Sequence, residues 1–271
     1  MIIKNAFMVN IRSMGDLPVM ERWLQRDHCA ETISGIGPAL VRYQSYRVVN
    51  PPPELHADCV SFGYYNWRLT ELWMDPMNIA SLAHNVKMIY PPNYSQIVGM
   101  GNRPPEQLMV PTFEGRPEGP HPPAGGGFPP APTNDFRGKD NYLDDKAILR
   151  WVIMMKYPQG VPVEEGEKWF LEVHSKEVMQ QPGLTRFISY KGAGPPGRPV
   201  VWNRLTELWY ENFDNWKKAV IDSPPKYTKP SWAKYDKYPF LEPYVDFCST
   251  FILEKPTNNF LRDYNGYVTG L

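Results

Sequence analysis

Hydrophobic and polar positions along the 271 residues change period in one order, and that order occurs twice. An apolar run from Ile2 to Ile11 reads as a strand. A polar, Trp-containing stretch at helical spacing follows, starting at Asp16 and Pro18, where proline suits a first turn, and ending at the break Gly35-Ile36-Gly37-Pro38. Val41 to Val49 and Arg68 to Trp73 alternate with the period of half-buried strands, and Met77 to Ile89 returns to helical spacing. The succession then recurs: strand Ile148 to Tyr157, helix from near Pro162 to Pro182-Gly183, strands Thr185 to Tyr190 and Arg204 to Trp209, helix Phe213 to Asp222, closing strand Val245 to Leu253. Each half predicts a β-α-β-β-α-β order.

Landmarks support the duplication. The hexapeptide Arg-Leu-Thr-Glu-Leu-Trp stands at Arg68 to Trp73 and at Arg204 to Trp209, and Trp23 and His28 are matched by Trp169 and His174 at the same spacing. The predicted fold class is therefore α+β: two ferredoxin-like repeats whose antiparallel sheets pack as an intramolecular α+β barrel, each covering the bare face of the other. The expected divisions are 1–99 for the first repeat, 100–146 for a Pro/Gly-rich linker or lid, and 147–271 for the second repeat with a C-terminal extension. Pro104 to Pro132 and Gly125-Gly126-Gly127 leave neither helix nor central strand in that linker, while Leu108, Phe113 and Phe128 favour a segment wrapped on the surface.

Composition narrows the function classes. Twenty-nine basic and 29 acidic residues balance to zero charge, which favours neither nucleic acid nor an anionic membrane as partner. Aromatics make up 14% of the chain, the material of pockets lined by rings, so the expected ligand is a small hydrophobic or aromatic substrate. Cys29, Cys59 and Cys248 show neither disulfide nor zinc spacing. The N-terminus reads as a strand rather than a signal peptide, and no apolar run reaches the ~18 residues of a membrane span. The expectation is a soluble, cytoplasmic protein, with a homodimer left open.

Three features taken together resemble the EthD-like branch of the dimeric α+β barrel superfamily. They are the Trp-then-His helices, the turn Pro182-Gly183 into the strand Leu184-Thr185-Arg186-Phe187, and Glu207-Leu208-Trp209 running into Tyr210-Glu211. The resemblance covers nearly all of 1–99 and 147–255; the first copy departs at Ala39, where the pattern has glycine. It implies cofactor-free monooxygenases, muconolactone-type isomerases, polyketide cyclases or haem enzymes as relatives. In the cofactor-free members it implies a pocket between sheet and helices or in the barrel interior, where one His, Tyr or carboxylate moves a proton.

The residues suggest who would move it. His28 lies four positions after Leu24, and His174 lies four from both Phe170 and Val178, so helical spacing aims both rings at the buried stripe. A near-neutral imidazole among aromatics is an economical general acid or base; the bland alternative is a structural His. Glu71 and Glu207 share a strand face with Leu and Trp, either as proton shuttles or as buried partners of Arg42 and Arg186. His84 belongs to the first half only, the asymmetry a single specialised site would produce, and is a further catalytic candidate on the second helix, where related cyclases place catalytic residues; the alternative is a solvent-facing His. Tyr46, Tyr190, Trp73, Trp209, Tyr90 and Tyr94, with Arg42 and Arg186, are the expected substrate-binding residues. No metal-ligand spacing is present, and no cofactor is expected, although haem held by one His stays open. The predicted activity is a cofactor-independent lyase or isomerase acting by His general acid/base catalysis on an aromatic or polyketide-like compound. The alternatives are a cofactor-free monooxygenase, a haem enzyme or a non-catalytic binding protein.

Overall fold

A computed structural model describes residues 2–75, 89–99, 123–137, 148–194 and 200–261. The chain forms an α+β structure with two five-stranded antiparallel sheets in two compact units. The units draw on the chain out of order: Met1–Arg47, Tyr65–Pro130 and Lys255–Leu271 make the first, Val48–Tyr64 and Ala131–Glu254 the second.

The second unit follows the predicted succession. Strand β6 (Leu149–Met155) leads into helix α5 (Val163–Trp169), a turn of π-helix (Phe170–His174) and α6 (Ser175–Val178). Strands β7 (Arg186–Lys191) and β8 (Arg204–Tyr210) follow, then α7 (Phe213–Lys217) with its own π turn (Lys218–Asp222), then β9 (Phe247–Leu253). The sheet order β5-β7-β8-β6-β9 is ferredoxin-like, with β5 (Asn134–Arg137) added at one edge. On the helix side, Trp151, Trp216, Phe247 and Phe251 pack edge to face and stacked around Phe62, which arrives with the excursion Val48–Tyr64 and its helix α3 (His56–Ser61). Aromatic pairs of this kind contribute roughly 0.5–1.5 kcal/mol each beyond the area they bury.

The first unit repeats the sheet as β10-β2-β3-β1-β4, from β1 (Ile3–Val9), β2 (Leu40–Arg47), β3 (Arg68–Met74), β4 (Ala124–Phe128) and β10 (Asn258–Asn259). Its helical layer is α1 (Leu17–Trp23), a π turn (Leu24–His28) and α2 (Cys29–Ile36); a short α4 (Tyr94–Ile97) comes later. The expected second helix at 77–89 falls almost wholly on residues outside the described set.

Strands β4 and β5 lie inside the Pro/Gly-rich stretch, where neither helix nor central strand was expected. Both are edge strands, and Ala124-Gly125-Gly126-Gly127-Phe128 itself contains no proline. Gly125 is required there: a Cβ would sit 2.4 Å from the ring of Phe7, its partner across the ladder.

The hexapeptide arginine ties each helical layer to its sheet. Arg68 makes two hydrogen bonds to Glu21 of α1, at 3.1 and 2.6 Å, and donates a third to Asn258 of β10. Arg204 does the same with Glu167 of α5, at 2.9 and 2.6 Å, and with Asn134 of β5. Two separate stretches of chain thus present an asparagine to the same arginine at matching sheet edges. One register further in, Ser45 and Ser189 bond Thr70 and Thr206 at 3.0 and 3.1 Å.

Candidate active site

The two histidines stand where each first helix changes pitch. An α-helix turns about 100° per residue, so positions five apart would face about 140° away from each other. The π turns Leu24–His28 and Phe170–His174 remove that divergence. His28 stacks on Trp23 at 4.4 Å between centroids, and His174 lies against Trp169 at 4.8 Å. Both tryptophans are anchored alike: Trp23 donates to the Ile89 carbonyl, whose own N–H is held by Glu31, and Trp169 donates to the Thr228 carbonyl, whose N–H is held by Glu177.

Beyond those anchors the units differ. Around His174 the chain returns with Trp232, 5.4 Å from Trp169, and with Tyr238, stacked 6.0 Å from the imidazole. Tyr238 stacks in turn on Tyr227, Gln181 donates to the Tyr227 hydroxyl at 2.7 Å, and the Tyr210 hydroxyl donates to Gln181. Burial raises all three phenol pKa values, Tyr227 to about 12, so this is a neutral, closed network. His174 is 4% exposed, and burial lowers its pKa to about 3.

His28 has a looser surround. Tyr90 and Tyr94 face Trp23 at 5.6 and 4.9 Å and each other at 4.7 Å. The imidazole is half-buried; its Nδ1 is shielded from solvent and has no hydrogen-bond partner among the described residues. Burial lowers its pKa to about 4, so at neutral pH it is an uncharged base. Thr32, one turn further along α2 and 2% exposed, also has a shielded Oγ1 without a partner among the described residues. Two shielded polar atoms four residues apart on the helix, without partners among the described residues and one of them in a ring stacked on Trp23, form a site with unused hydrogen-bonding capacity.

The other residues expected at the site gather on the face of each sheet away from the helices. In the first unit Glu71, Trp73, Arg42 and Tyr46 share that face with Lys4; in the second Glu207, Trp209, Arg186 and Tyr190 share it with Arg150. The carboxylate partners differ from those expected. Glu71 pairs with Lys4 at 3.5 Å and Glu207 with Arg150 at 2.7 Å, because these bases stand on the neighbouring strands β1 and β6, two residues off the glutamate's register partner. Arg42 and Arg186 instead lie over Trp73 and Trp209, with guanidinium carbons 4.4 and 4.9 Å from the ring centroids. Both glutamates are under 5% exposed and already paired, which fits a packing role. Trp23 is thus the ring that His28, Tyr90 and Tyr94 each contact, while Glu71 and Arg42 lie on the opposite face of the sheet. His84 lies outside the described residues.

Sequence reading did not single out Thr32, Gln181, Tyr227 or Tyr238. For Thr32 a signal existed: its counterpart at the same helical offset is Val178, so polarity changed at one position of a repeated stripe. Among the described residues no group of three or more His, Cys, Asp or Glu is placed to hold a metal ion, and no helix is long and apolar enough to cross a membrane.

Fold and site define an α+β protein of two ferredoxin-like units, each with an imidazole whose pKa burial lowers, His174 fully enclosed and His28 half-buried. The profile of the chalcone isomerase N-terminal domain family matches residues 1–103. Searches of curated sequences give no match. Matches among solved structures include an anthrone oxidase-like protein, 9% identical with TM-score 0.44 over 95% of this chain and 92% of that one. A putative monooxygenase from Lactobacillus acidophilus NCFM is 9% identical with TM-score 0.31, over 94% and 95%. A putative chlorite dismutase is 11% identical with TM-score 0.35, again over 94% and 95%. At these values the likenesses carry nothing about chemistry.

Proposed function

We propose that the protein is a cofactor-independent isomerase or lyase for a small aromatic or polyketide-like ketone, with its active site in the first unit and His28 as general acid and base. The observation that carries this reading is the contrast between the two imidazoles. His174 is closed in by Tyr238 and Trp169, whereas His28 keeps a shielded Nδ1 without a hydrogen-bond partner among the described residues and is stacked on Trp23, the ring that Tyr90 and Tyr94 also pack against. The matched isomerase domain spans that unit's first strands and helix and does not reach the second repeat. The repeat landmarks support an EthD-like tandem origin, in which one copy keeps the chemistry and the other has filled its pocket with its own side chains.

As a base His28 suits this chemistry in one direction and needs help in the other. Its low pKa keeps it unprotonated at neutral pH, but makes it weak towards a carbon acid or phenol. Once the substrate carries an enolate or phenolate, that negative charge beside the new imidazolium raises its pKa and holds the proton until it is returned at carbon. The Trp23 ring stacked on the imidazole shields one face of it from water.

The test uses ortho-hydroxychalcone as probe, whose ring closure removes its long-wavelength absorbance. His28→Phe keeps the stack on Trp23 and removes the nitrogens, and turnover should fall at least a hundredfold, the lower range for general acid/base catalysis. His174→Phe should leave turnover within about threefold, less than 1 kcal/mol on the barrier. Unchanged turnover in a folded His28→Phe protein would sink the proposal, as would a wild-type protein that leaves the probe untouched.

A further inference from the structure

On the reading that His28 transfers the proton, we infer that Thr32 is the residue that binds the substrate's carbonyl oxygen and thereby positions the reacting atoms over the imidazole. Residues four apart on a helix are neighbours on one face, roughly 5–6 Å between Cβ atoms. Thr32 stands in that relation to His28. Its side chain is buried, and its hydroxyl has no partner among the described residues.

The ordinary fate of such a hydroxyl is a bond to the carbonyl four residues back. Neighbouring positions in this protein take it: Cys29 Sγ donates to the Gln25 carbonyl at 3.0 Å, and Ser175 Oγ to the Leu171 carbonyl at 2.9 Å. Thr32 does not, so its donor is free for something that enters the site.

The second unit supplies an internal control. Trp23, His28 and Cys29 match Trp169, His174 and Ser175 at one constant offset, and the same offset sets Thr32 against Val178, which is wholly buried. Valine has threonine's shape without the hydroxyl, so packing at this position is satisfied by an apolar residue. A buried hydroxyl without a partner is destabilising in the empty protein. It is present in the unit whose imidazole is unpartnered and absent in the unit whose imidazole is covered by Tyr238.

The division of labour is then chemically complete. As His28 takes a proton from the substrate, the electron pair of the broken bond ends on the carbonyl oxygen, directly or through conjugate addition. The Thr32 O–H donates to that oxygen as charge builds, and His28 returns the proton at carbon. Nothing is oxidised or reduced, and no co-reactant is needed.

The experiment compares binding of chalcone and of its carbonyl-free analogue diphenylpropene, followed by quenching of tryptophan fluorescence, with turnover of ortho-hydroxychalcone measured alongside. Wild-type protein should bind chalcone about tenfold more tightly, the worth of one good hydrogen bond. Thr32→Val should erase that preference, lower turnover and leave the melting temperature unchanged or higher. Thr32→Ser should restore the preference, and His28→Phe should keep it while losing turnover. A Thr32→Val protein that discriminates as the wild type does would overturn the assignment. So would a wild type that turns over ortho-hydroxychalcone through His28 without discriminating, which leaves the His28 reading standing; a wild type that neither discriminates nor turns over the probe removes both.

Discussion

Replacing His174 by Phe should flatten the acid sensitivity of folding by an amount that follows from its burial. The imidazole lies against Trp169, Phe170 and Tyr238, and burial lowers its pKa from 6.5 to about 3. Below pH 6.5 the unfolded chain protonates this residue while the folded chain does not, so the unfolded state binds more protons and stability falls with pH. Each pH unit in that window is worth about 1.4 kcal/mol: about 2 kcal/mol lost between pH 6.5 and pH 5, and about 5 kcal/mol by pH 3. His28 adds the same slope down to about pH 4. Asp246 opposes one of them: burial raises its pKa from 3.8 to about 6, so between those values the folded state holds the extra proton and gains stability on acidification. Urea unfolding of both proteins at a series of pH values from 7 to 4.5 isolates the His174 contribution, because packing changes made by the larger ring shift all points equally. The gap between the two curves should change by about 2 kcal/mol between pH 6.5 and pH 5, in favour of the variant. A gap independent of pH would show that His174 titrates normally in the folded protein, and the closed network above it would have to be abandoned.

Two further expectations concern charge. Glu167→Gln leaves Arg204, 1% exposed, without its carboxylate and should cost about 3–5 kcal/mol in urea unfolding, while the double change Glu167→Leu with Arg204→Met should recover most of that; a single variant as mild as the double would remove the pair from the account of the fold. In catalysis, kcat/KM for ortho-hydroxychalcone should rise once with pH, through about 4, and stay level to neutrality, because burial keeps His28 in its base form above that value; an inflection near 6.5 would mean that the catalytic imidazole is solvated or is a different one.

What the sequence disclosed depended on how local the cause was. Strand and helix periods depend on side chains a few positions apart, so β6, α5, β7, β8, α7 and β9 were legible in order. The interleaving of the units was not, because β10, β4 and the Val48–Tyr64 excursion are placed by partners far away in the chain. The site shows the same division more sharply. The spacing of Trp23 and His28 marked the pair, yet α-helical geometry would have turned His28 towards the stripe shared with Leu24; the π turn stacks it on Trp23. Glutamate partners were misassigned for a related reason, since nothing local distinguishes Arg42 from Lys4 as the base across the strand from Glu71. Most telling is the pair of repeated helices. Identical landmarks argued that the units are alike, and their backbones are, down to the Glu31 and Glu177 carboxylates that hold Ile89 and Thr228. Both anchors keep a helix in place, whereas the proposed reaction needs only one unfilled imidazole. Chemistry is therefore to be sought where the copies disagree: Thr32 against Val178, and Tyr90 with Tyr94 against the Trp232–Tyr238 cover.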